Sequence, residues 1–259
     1  MIANDALEVV LVPVLSDNYV YIIRDVETEE VGVIDPGEAA PVERALSERN
    51  WTPSWILLTH HHADHIGAAQ SLATAYGAKI AGAAADAERL PPLDARFVPD
   101  DDWTFGAQIV EIIDTPGHTV GHVALYFPKA KALFSGDTLF VLGCGRLFEG
   151  TALQMWRSLS KLAALPPETQ VFCGHEYTLA NARFAVTIEP ENKALQDRVA
   201  EIEAQRAANE PTVPTSIGRE NATNPFLRAG EPNVKASVGL PDADEAAVFA
   251  EIRRRKDNA

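Results

Sequence analysis

The sequence predicts a mixed α/β region followed by an α-helical region. Up to His175, short runs rich in Val and Ile alternate with turn residues and a few helical segments. From residue 176 onward almost no strand-like run occurs. The chain has 259 residues, which suits one large domain or two modest ones. We therefore expect two domains, residues 1–175 and residues 176–259.

The first region owes its α/β prediction to apolar runs that end in turn residues. Asp35-Pro36-Gly37 closes one such run, and Gly77 and Pro166-Pro167 end helical stretches. Strands are predicted at Leu7–Val12, Val20–Ile23, Val31–Ile34, Ile56–Leu58, Ile109–Ile113, Val123–Phe127, Ala132–Phe134 and Val171–Cys173. Helices are predicted at Pro41–Arg49, Ile66–Tyr76 and Ala152–Leu165.

The second region shows helical periodicity at two places. Pro190–Asn209 carries an apolar stripe with a proline near its start, and Asp242–Arg255 places its apolar residues on one face. Between them, Glu210–Pro241 is rich in Pro, Gly, Asn and Thr. That composition predicts a long loop.

Composition and charge exclude several classes of protein. The net charge is −15, the wrong sign for a non-specific nucleic-acid binder or a protein held on an acidic membrane. The two cysteines, Cys144 and Cys173, form no Cys-x-x-Cys motif and favour a reducing compartment. The first residues lack the basic segment of a signal peptide, and no apolar run approaches the ~20 residues of a membrane span. We expect a cytoplasmic protein with no nucleic-acid or membrane partner, and we expect it to be a monomer.

All seven histidines lie in three short segments. Positions 60, 61, 62 and 65 follow one predicted strand, positions 118 and 122 lie in a Gly-rich turn, and position 175 follows another strand. Asp64 lies within the first of these segments, and Asp137 follows the predicted strand Ala132–Phe134. Imidazole and carboxylate groups are the usual ligands of transition metals, and strand ends collect at one edge of a sheet. A surface histidine cluster is the alternative, and for His61 and His122 no ligand role is required.

The number of candidate ligands exceeds one coordination sphere. The set is His60, His62, Asp64, His65, His118, Asp137 and His175. One tetrahedral zinc ion cannot use seven groups, but two ions that share a carboxylate can. Paired metals activate water for hydrolysis. No Gly-x-Ser-x-Gly elbow is present, and the two cysteines are expected to be packing residues.

Several motifs carry a resemblance to known enzymes. Thr59–His65 resembles the metal-binding signature of the metallo-β-lactamase superfamily. Closer similarity, to the hydroxyacylglutathione hydrolase (glyoxalase II) family, runs from about Val12 to Lys256. It rests on the segments Gly136–Phe140, Gly143–Arg146, Cys173–Thr178, Asn224–Phe226 and Arg253–Asp257.

The resemblance implies an αββα sandwich followed by an α-helical, substrate-binding domain. It implies two divalent metal ions, with zinc expected and iron or manganese as alternatives. His60, His62 and His118 would hold the first, Asp64, His65 and His175 the second, and Asp137 would bridge them. Arg146, Tyr177, Arg253 and Lys256 would bind glutathione. Phe148 stands where the family often has Tyr, which removes one hydroxyl contact to the thiol ligand.

The implied reaction is hydrolysis of S-(2-hydroxyacyl)glutathione, such as S-lactoylglutathione, to a 2-hydroxy acid and glutathione. This is the second step of methylglyoxal detoxification. A hydroxide that bridges the metals would be the nucleophile, and His60, His62, Asp64 and Asp137 would act through it. The thiolate leaving group needs no dedicated general acid. A persulfide dioxygenase with one non-haem iron, a β-lactamase and a non-catalytic metal-binding module remain as rivals.

Overall fold

The structure, a computed structural model, describes residues 2–3 and 5–259, and the side chains of residues 5–101 and 103–259. The chain divides into two compact units. We call Met1–Asp114 with Val120–Gly136 the first unit, and Thr115–Thr119 with Asp137–Ala259 the second unit. Among the described residues, no helix combines the length and the hydrophobicity that a membrane span requires.

The first unit is built on a sheet whose strands follow chain order. Neighbouring strands are antiparallel from β1 to β4 and parallel from β4 to β7. Parallel pairing brings the carboxyl ends of β4 and β5 to the same edge of the sheet. The strands are β1 (Ile2–Ala3), β2 (Leu7–Val14), β3 (Asn18–Asp25), β4 (Val31–Ile34), β5 (Trp55–Leu58), β6 (Lys79–Ala83) and β7 (Ala95–Phe97).

Helices cover one face of this sheet. Val42 and Leu46 of α1 and Leu72 of α3 are fully buried in one apolar cluster with Val33 and Ile56 of the sheet. The helices are α1 (Ala39–Ser47), α2 (Ala63–Ile66) and α3 (Ala69–Tyr76), followed by a 3-10 turn at Ala84–Asp86. Helix α3 ends at Gly77, whose φ of 68° lies in the left-handed region that glycine adopts without strain.

A second sheet packs on the other face. Its strands in the first unit form an antiparallel meander of β8 (Asp102–Phe105), β9 (Gln108–Asp114), β10 (Val123–Phe127) and β11 (Ala132–Gly136). Aromatic side chains join the two sheets: the ring centroids of Tyr21 and Phe134 lie 5.4 Å apart, and those of Trp55 and Trp103 lie 5.2 Å apart. The first unit is therefore a helix layer on two stacked sheets.

The second unit is mainly helical. Short strands form a hairpin, β12 (Leu139–Phe140) with β13 (Gly143–Cys144), and an antiparallel pair, β14 (Gln170–Cys173) with β15 (Thr215–Ser216). Side-chain caps at Thr151, Asn192 and Asp244 begin α4, α6 and α9. The helices are α4 (Ala152–Ala163), α5 (Thr178–Ile188), α6 (Lys193–Ala207), α7 (Ile217–Thr223), α8 (Pro232–Ser237) and α9 (Glu245–Asp257).

The predicted loop at 210–241 is wrong, because the structure places α7 and α8 there. Both helices are short, seven and six residues, so they show little periodicity. The predicted helix Ile66–Tyr76 is also wrong in its start, since α2 begins at Ala63 and the helix is interrupted before Ala69. The other predicted strands and helices are present: the strands Val31–Ile34 and Val123–Phe127 have the predicted bounds, and the remaining boundaries shift by one to a few residues.

Candidate metal centre

Four of the predicted ligands converge on one turn of the first unit. Strand β5 ends at Leu58, and the chain then enters the one-turn helix α2, for which His62 is the residue before the first turn. The ring centroids of His60 and His62 lie 4.8 Å apart, and those of His60 and His65 lie 4.2 Å apart. The Nε2 atom of His65 lies 3.5 Å from Oδ2 of Asp64. The predicted proximity of these side chains is thus present.

Asp35 underlies this turn, although its side chain was not among the predicted site residues. It directly follows β4 and has a φ of 52°. Its Oδ1 accepts the backbone N–H of Thr59 at 2.8 Å, and its Oδ2 accepts the Thr59 hydroxyl at 2.6 Å. The same Oδ2 accepts Nδ1–H of His65 at 3.1 Å. Asp35 therefore joins the end of β4 to the ligand turn that follows β5.

These hydrogen bonds decide which ring nitrogens carry lone pairs. The Thr59 hydroxyl has one proton and gives it to Asp35, so it accepts Nδ1–H of His60 at 3.0 Å. In the neutral imidazoles of His60 and His65, Nε2 is then the lone-pair nitrogen. A carboxylate or hydroxyl behind a metal-binding imidazole is the usual arrangement that fixes its tautomer.

Asp64 is oriented by Asn18. The Nδ2 atom of Asn18, a buried residue at the start of β3, donates to Oδ2 of Asp64 at 2.9 Å. The same Oδ2 of Asp64 therefore accepts a hydrogen bond from the Asn18 amide and lies 3.5 Å from Nε2 of His65. This second contact also escaped the sequence prediction, because Asn18 lies 46 positions away along the chain.

His61 and His122 are placed differently from the predicted ligands. The Nδ1 atom of His61 lies 2.8 Å from Oδ2 of the buried Asp86, which also binds Arg89. The ring of His122 stacks on that of His60 at 4.8 Å, and its Nε2 crowds Gly136, where an added Cβ would lie 2.7 Å away. His61 thus turns toward Asp86, as its central position in His60–His62 predicts, and His122 packs behind a ligand.

Three further predicted ligands meet in the second unit. His118 lies in the Thr115–Thr119 segment, Asp137 precedes β12, and His175 follows β14; all three are buried. The Oδ2 atom of Asp137 lies 3.4 Å from Nε2 of His118 and 3.3 Å from Nε2 of His175. One carboxylate oxygen thus faces two imidazole nitrogens.

The donor chemistry of this group fits a cation. The Nδ1–H of His118 donates to the backbone carbonyl of Arg146 at 2.9 Å, so Nε2 of the neutral ring carries a lone pair. That lone pair is directed at a carboxylate oxygen 3.4 Å away, and two acceptors at this distance repel each other unless a positive charge lies with them. Nitrogen and carboxylate ligands of this kind suit a divalent transition metal.

Glycine is required where the chain passes behind these ligands. A Cβ on Gly145 would lie 2.0 Å from the carbonyl oxygen of Asp137 and 3.1 Å from Nδ1 of His118. The backbone N–H of Gly145 donates to the Thr138 carbonyl at 3.2 Å. The Gly-Cys-Gly-Arg segment therefore packs its backbone directly against the ligand-bearing residues of this unit.

Cationic side chains lie near the same segment. Arg146 is exposed, and Lys256 of α9 donates to the Ala180 carbonyl at 3.0 Å and lies over the Phe184 ring. Partial burial and the neighbouring cations Arg253 and Arg146 lower the pKa of Lys256 below its ordinary value. Like charges that crowd one another in this way favour the binding of an anion.

Arg253 is almost fully buried, unlike Arg146. Its Nη1 donates to the carbonyl of Cys144 at 3.0 Å, its Nη2 pairs with Asp257 at 2.7 Å, and the guanidinium lies over the Phe226 ring. Its buried Nε has no hydrogen-bond partner among the described residues. Most of this guanidinium is thus engaged with the protein, and a glutathione contact by Arg253 stays a prediction.

Two aromatic residues flank the ligands of the second unit. The Tyr177 ring stacks on His175 at 4.6 Å with an interplanar angle of 5°, and 39% of Tyr177 is exposed. Phe148 meets His118 edge to face at 5.2 Å and is 63% exposed. Both rings therefore lie beside a predicted ligand and keep part of their surface open to solvent.

The two cysteines are buried free thiols. Burial raises the pKa of Cys144 to about 11, although the Arg253 charge lowers it in part, and burial raises the pKa of Cys173 to about 12. Both thiols stay protonated at neutral pH, whereas a nucleophilic cysteine needs its thiolate. The prediction that they are packing residues is confirmed.

Comparison with known proteins identifies the family of the chain. Residues 14–175 match the model of the metallo-beta-lactamase superfamily, and residues 176–259 match the model of the hydroxyacylglutathione hydrolase C-terminus. A protein named hydroxyacylglutathione hydrolase from Cereibacter sphaeroides (strain ATCC 17029 / ATH 2.4.9) is 56% identical over 97% of this chain and 98% of its own length. The chain belongs to the hydroxyacylglutathione hydrolase family.

Solved structures place the family within a wider fold. The di-iron-bound form of TTHA1623 is 30% identical, with a TM-score of 0.60 over 85% of this chain and 100% of that one. The B3 metallo-beta-lactamase BLEG-1 is 25% identical, with a TM-score of 0.65 over 85% of this chain and 99% of that one. This hydroxyacylglutathione hydrolase family member therefore has the metallo-β-lactamase fold followed by a helical domain, as the sequence predicts, and its histidine and aspartate clusters imply divalent metal binding.

Sequence reasoning missed the residues that orient the ligands. Asp35 and Thr59 each follow a strand of the same parallel pair, which was a usable signal, because both strand ends reach one edge. The backbone carbonyl of Arg146, which accepts from His118, has no signal in the sequence. Every residue has a backbone carbonyl, and only the folded geometry decides which one the imidazole meets.

Proposed function

We propose that this chain hydrolyses glutathione thioesters of 2-hydroxy acids, with S-lactoylglutathione as the reference substrate. The observation that carries the proposal is the Asp137 carboxylate, whose Oδ2 faces the Nε2 atoms of His118 and His175. Membership of the hydroxyacylglutathione hydrolase family supports the choice of substrate. The products are a 2-hydroxy acid and glutathione, as in methylglyoxal detoxification.

The seven ligands are proposed to hold two divalent ions, with zinc expected and iron or manganese as alternatives. His60, His62 and His118 are assigned to one ion, Asp64, His65 and His175 to the other, and Asp137 to both. When bound, such a pair supplies a water acidic enough to be the nucleophile at neutral pH and a positive charge for the carbonyl oxygen. The fixed tautomers of His60, His65 and His118 support this assignment, because each leaves Nε2 available as a ligand.

The residues of the chain are proposed to do the remaining work of binding and orientation. The exposed Arg146 and the crowded ammonium of Lys256 are assigned to the anionic groups of glutathione. Tyr177 is assigned to the thiol portion, since its ring lies flat against His175. Arg253 is assigned to the same site because it belongs to the Arg253–Asp257 segment that resembles the family.

Catalysis and substrate binding are assigned to the two predicted domains. Residues 1–175 are proposed as the catalytic domain and residues 176–259 as the substrate-binding domain, and the extents of the two family matches support this division. A cytoplasmic location and a monomeric state are carried forward as predictions from the sequence.

The test is thioester hydrolysis together with metal analysis of the same preparation. Protein purified without chelators is expected to cleave S-lactoylglutathione, which is followed by loss of thioester absorbance and by release of free thiol. Elemental analysis is expected to approach two transition-metal ions per chain. Asp137→Ala serves as the matched inactive control.

Three outcomes would contradict the proposal. Oxygen consumption with glutathione persulfide in place of thioester cleavage would indicate a dioxygenase. Faster hydrolysis of a β-lactam than of the thioester would indicate a lactamase. A fully active protein with one metal ion would refute the binuclear assignment.

A further inference from the structure

Glu220 on α7 is a fully buried carboxylate for which the proposed reaction has no direct use. Its Oε1 accepts from Nη2 of the buried Arg198 on α6 and from the Thr215 hydroxyl, the latter at 2.7 Å. A buried ion pair of this kind adds little net stability over a well-packed apolar pair. Stability alone is therefore a weak explanation for placing a charge here.

The other carboxylate oxygen of Glu220 holds the β12–β13 hairpin. Its Oε2 accepts the backbone N–H of Leu142 at 2.9 Å and the amide of Asn224, also at 2.9 Å. The same Asn224 amide donates to the carbonyls of Gly143, at 3.0 Å, and of Phe140, at 3.3 Å. From α5, Asn181 donates to the Val141 carbonyl at 3.0 Å. Three side chains thus bind four consecutive residues of the hairpin.

This turn needs such support. The hairpin pairs Leu139 with Cys144 and Phe140 with Gly143, which leaves Val141 and Leu142 as the turn. Leu142 has a φ of 55°, in the left-handed region that costs a residue with a Cβ about 1 kcal/mol or more. The whole turn is buried, so its backbone polar groups need partners within the protein. Glu220, Asn224 and Asn181 supply them.

The ends of the hairpin carry the metal-site groups of the second unit. Asp137 lies two residues before β12, and Arg146 lies two residues after β13. The Arg146 carbonyl fixes the tautomer of His118, whose Nε2 faces the Asp137 carboxylate. A shift of the hairpin would move Asp137 and the Arg146 carbonyl together, because Gly145 N–H is bonded to the Thr138 carbonyl.

We propose that Glu220 is a positioning residue for the metal centre. Through Leu142 and Asn224 it holds the hairpin that sets Asp137 and His118, and Arg198 neutralises its charge from the opposite side. This inference rests on the proposed function for the role of Asp137 as a metal ligand. Its expected signature is a change in metal binding that exceeds any change in stability.

The experiment compares Glu220→Gln with Glu189→Gln. Glu189 is also buried and is bonded to Arg228 at 2.8 Å and 3.1 Å, but none of its described contacts involves the hairpin. Both variants remove the charge of a buried glutamate that is paired with an arginine of the second unit, although Arg228 is half-buried and Arg198 is buried. Far-UV circular dichroism and urea unfolding establish that each variant folds and how stable it is.

The deciding readouts concern the metal and do not require activity. In Glu220→Gln, chelator titration is expected to show about tenfold or more weaker retention of metal, the range seen when a group behind a ligand is lost. The visible spectrum of the cobalt-loaded protein is expected to change as ligand geometry changes, and kcat is expected to fall with KM nearly unchanged. Glu189→Gln is expected to keep the parental metal retention and spectrum.

Equal metal loss in the two glutamine variants, or parental metal retention in Glu220→Gln, would overturn the proposal. If Glu220→Gln fails to fold, Asn181→Ala decides, because it removes a single hairpin contact: weakened metal retention supports the proposal and parental retention overturns it. Absence of thioester hydrolysis in the unmodified protein would refute the proposed function but not the role of Glu220, because the chelator titration measures metal retention without requiring activity.

Discussion

At the residue scale, Asp35 has the contacts of a group that orients metal ligands. It binds Thr59 and His65 directly and His60 through the Thr59 hydroxyl. In Asp35→Asn the amide retains the shape but loses the charge and one acceptor. We expect metal retention in a chelator titration to weaken by about 10- to 100-fold, as for other groups behind metal-binding histidines.

Asp25 provides the control for this prediction. It is also a fully buried carboxylate of the first unit. It accepts hydrogen bonds from Thr28, Ala107 and Gln108, none of which belongs to the ligand turn at residues 59–65. Asp25→Asn is expected to lower the midpoint of thermal unfolding and leave metal retention unchanged. Similar metal loss in both variants would mean that general destabilisation, and not ligand orientation, explains the effect of Asp35→Asn.

Asp137 is the residue whose removal is expected to affect both ions. Its Oδ2 faces the imidazoles of His118 and His175, which we assign to different ions. In Asp137→Ala, elemental analysis is expected to show that both ions are depleted together and that thioester hydrolysis is lost. Loss of one ion with activity retained would show that Asp137 does not bridge.

The buried thiols give a pH dependence with a definite sign. Burial raises the pKa of Cys144 to about 11 and of Cys173 to about 12, against an ordinary value of 9.0. Above pH 9 the unfolded thiols ionise while the native ones stay protonated, so the native state binds more protons and its stability falls as pH rises. The stabilising effect is complete below pH 9 and is lost as pH rises through 11 and 12.

Urea unfolding at pH 8 and pH 10 measures this effect. Between these values the unmodified protein is expected to lose about 1 kcal/mol per thiol more than a Cys144→Ala/Cys173→Ala double variant, which lacks the titrating groups. The difference between the two proteins isolates the thiols, because tyrosines and lysines titrate in both. Equal losses would show that the thiols ionise in the folded protein.

At the scale of single elements, α4 begins with a capping box. The Thr151 hydroxyl accepts from the Gln154 backbone N–H at 3.2 Å, and the Gln154 side chain accepts the Thr151 backbone N–H at 2.8 Å. Thr151→Ala leaves first-turn N–H groups unsatisfied, so we expect a loss of about 1 kcal/mol in the free energy of unfolding. Urea unfolding checks this. Thr74→Ala, which removes an exposed hydroxyl inside α3, is expected to change stability far less.

Element prediction from the sequence succeeded where burial and length agree. The strands Val31–Ile34 and Val123–Phe127 have the predicted bounds, because they are short apolar runs buried along their whole length. Helix α7 could not be predicted in this way. It spans seven residues, and its position depends on contacts of Glu220 and Thr223 with Arg198, which lies more than twenty positions earlier in the chain.

The candidate site was predictable in part for a similar reason. Ligands such as His60, His62 and His65 share one local motif, and their types alone indicate metal chemistry. The groups that orient them are far apart in sequence or belong to the backbone, as with Asp35 and the Arg146 carbonyl. Strand pairing and turn geometry determine such partners, and neither can be inferred from a single sequence.

At the scale of the whole molecule, charge opposes the proposed substrate. The net charge of −15 repels a glutathione thioester, which is an anion, at long range. A local cationic group must therefore outweigh the general field. Lys256 is the clearest candidate, since its pKa is lowered by partial burial and by Arg253 and Arg146 nearby. Arg254 has the same sign but is exposed and paired with Glu251.

Lys256→Ala and Arg254→Ala therefore form a matched pair. Each makes the net charge one unit more negative, so their long-range repulsion of the substrate is equal, and any difference between them reports local contact. Lys256→Ala is expected to raise KM for S-lactoylglutathione several-fold, because a charge-assisted hydrogen bond to the ligand is lost, and to leave metal content unchanged. Arg254→Ala is expected to leave KM near the parental value. Steady-state kinetics at two salt concentrations would detect the alternative: if both variants raise KM equally and salt abolishes the effect, the general field governs binding and Lys256 makes no specific contact.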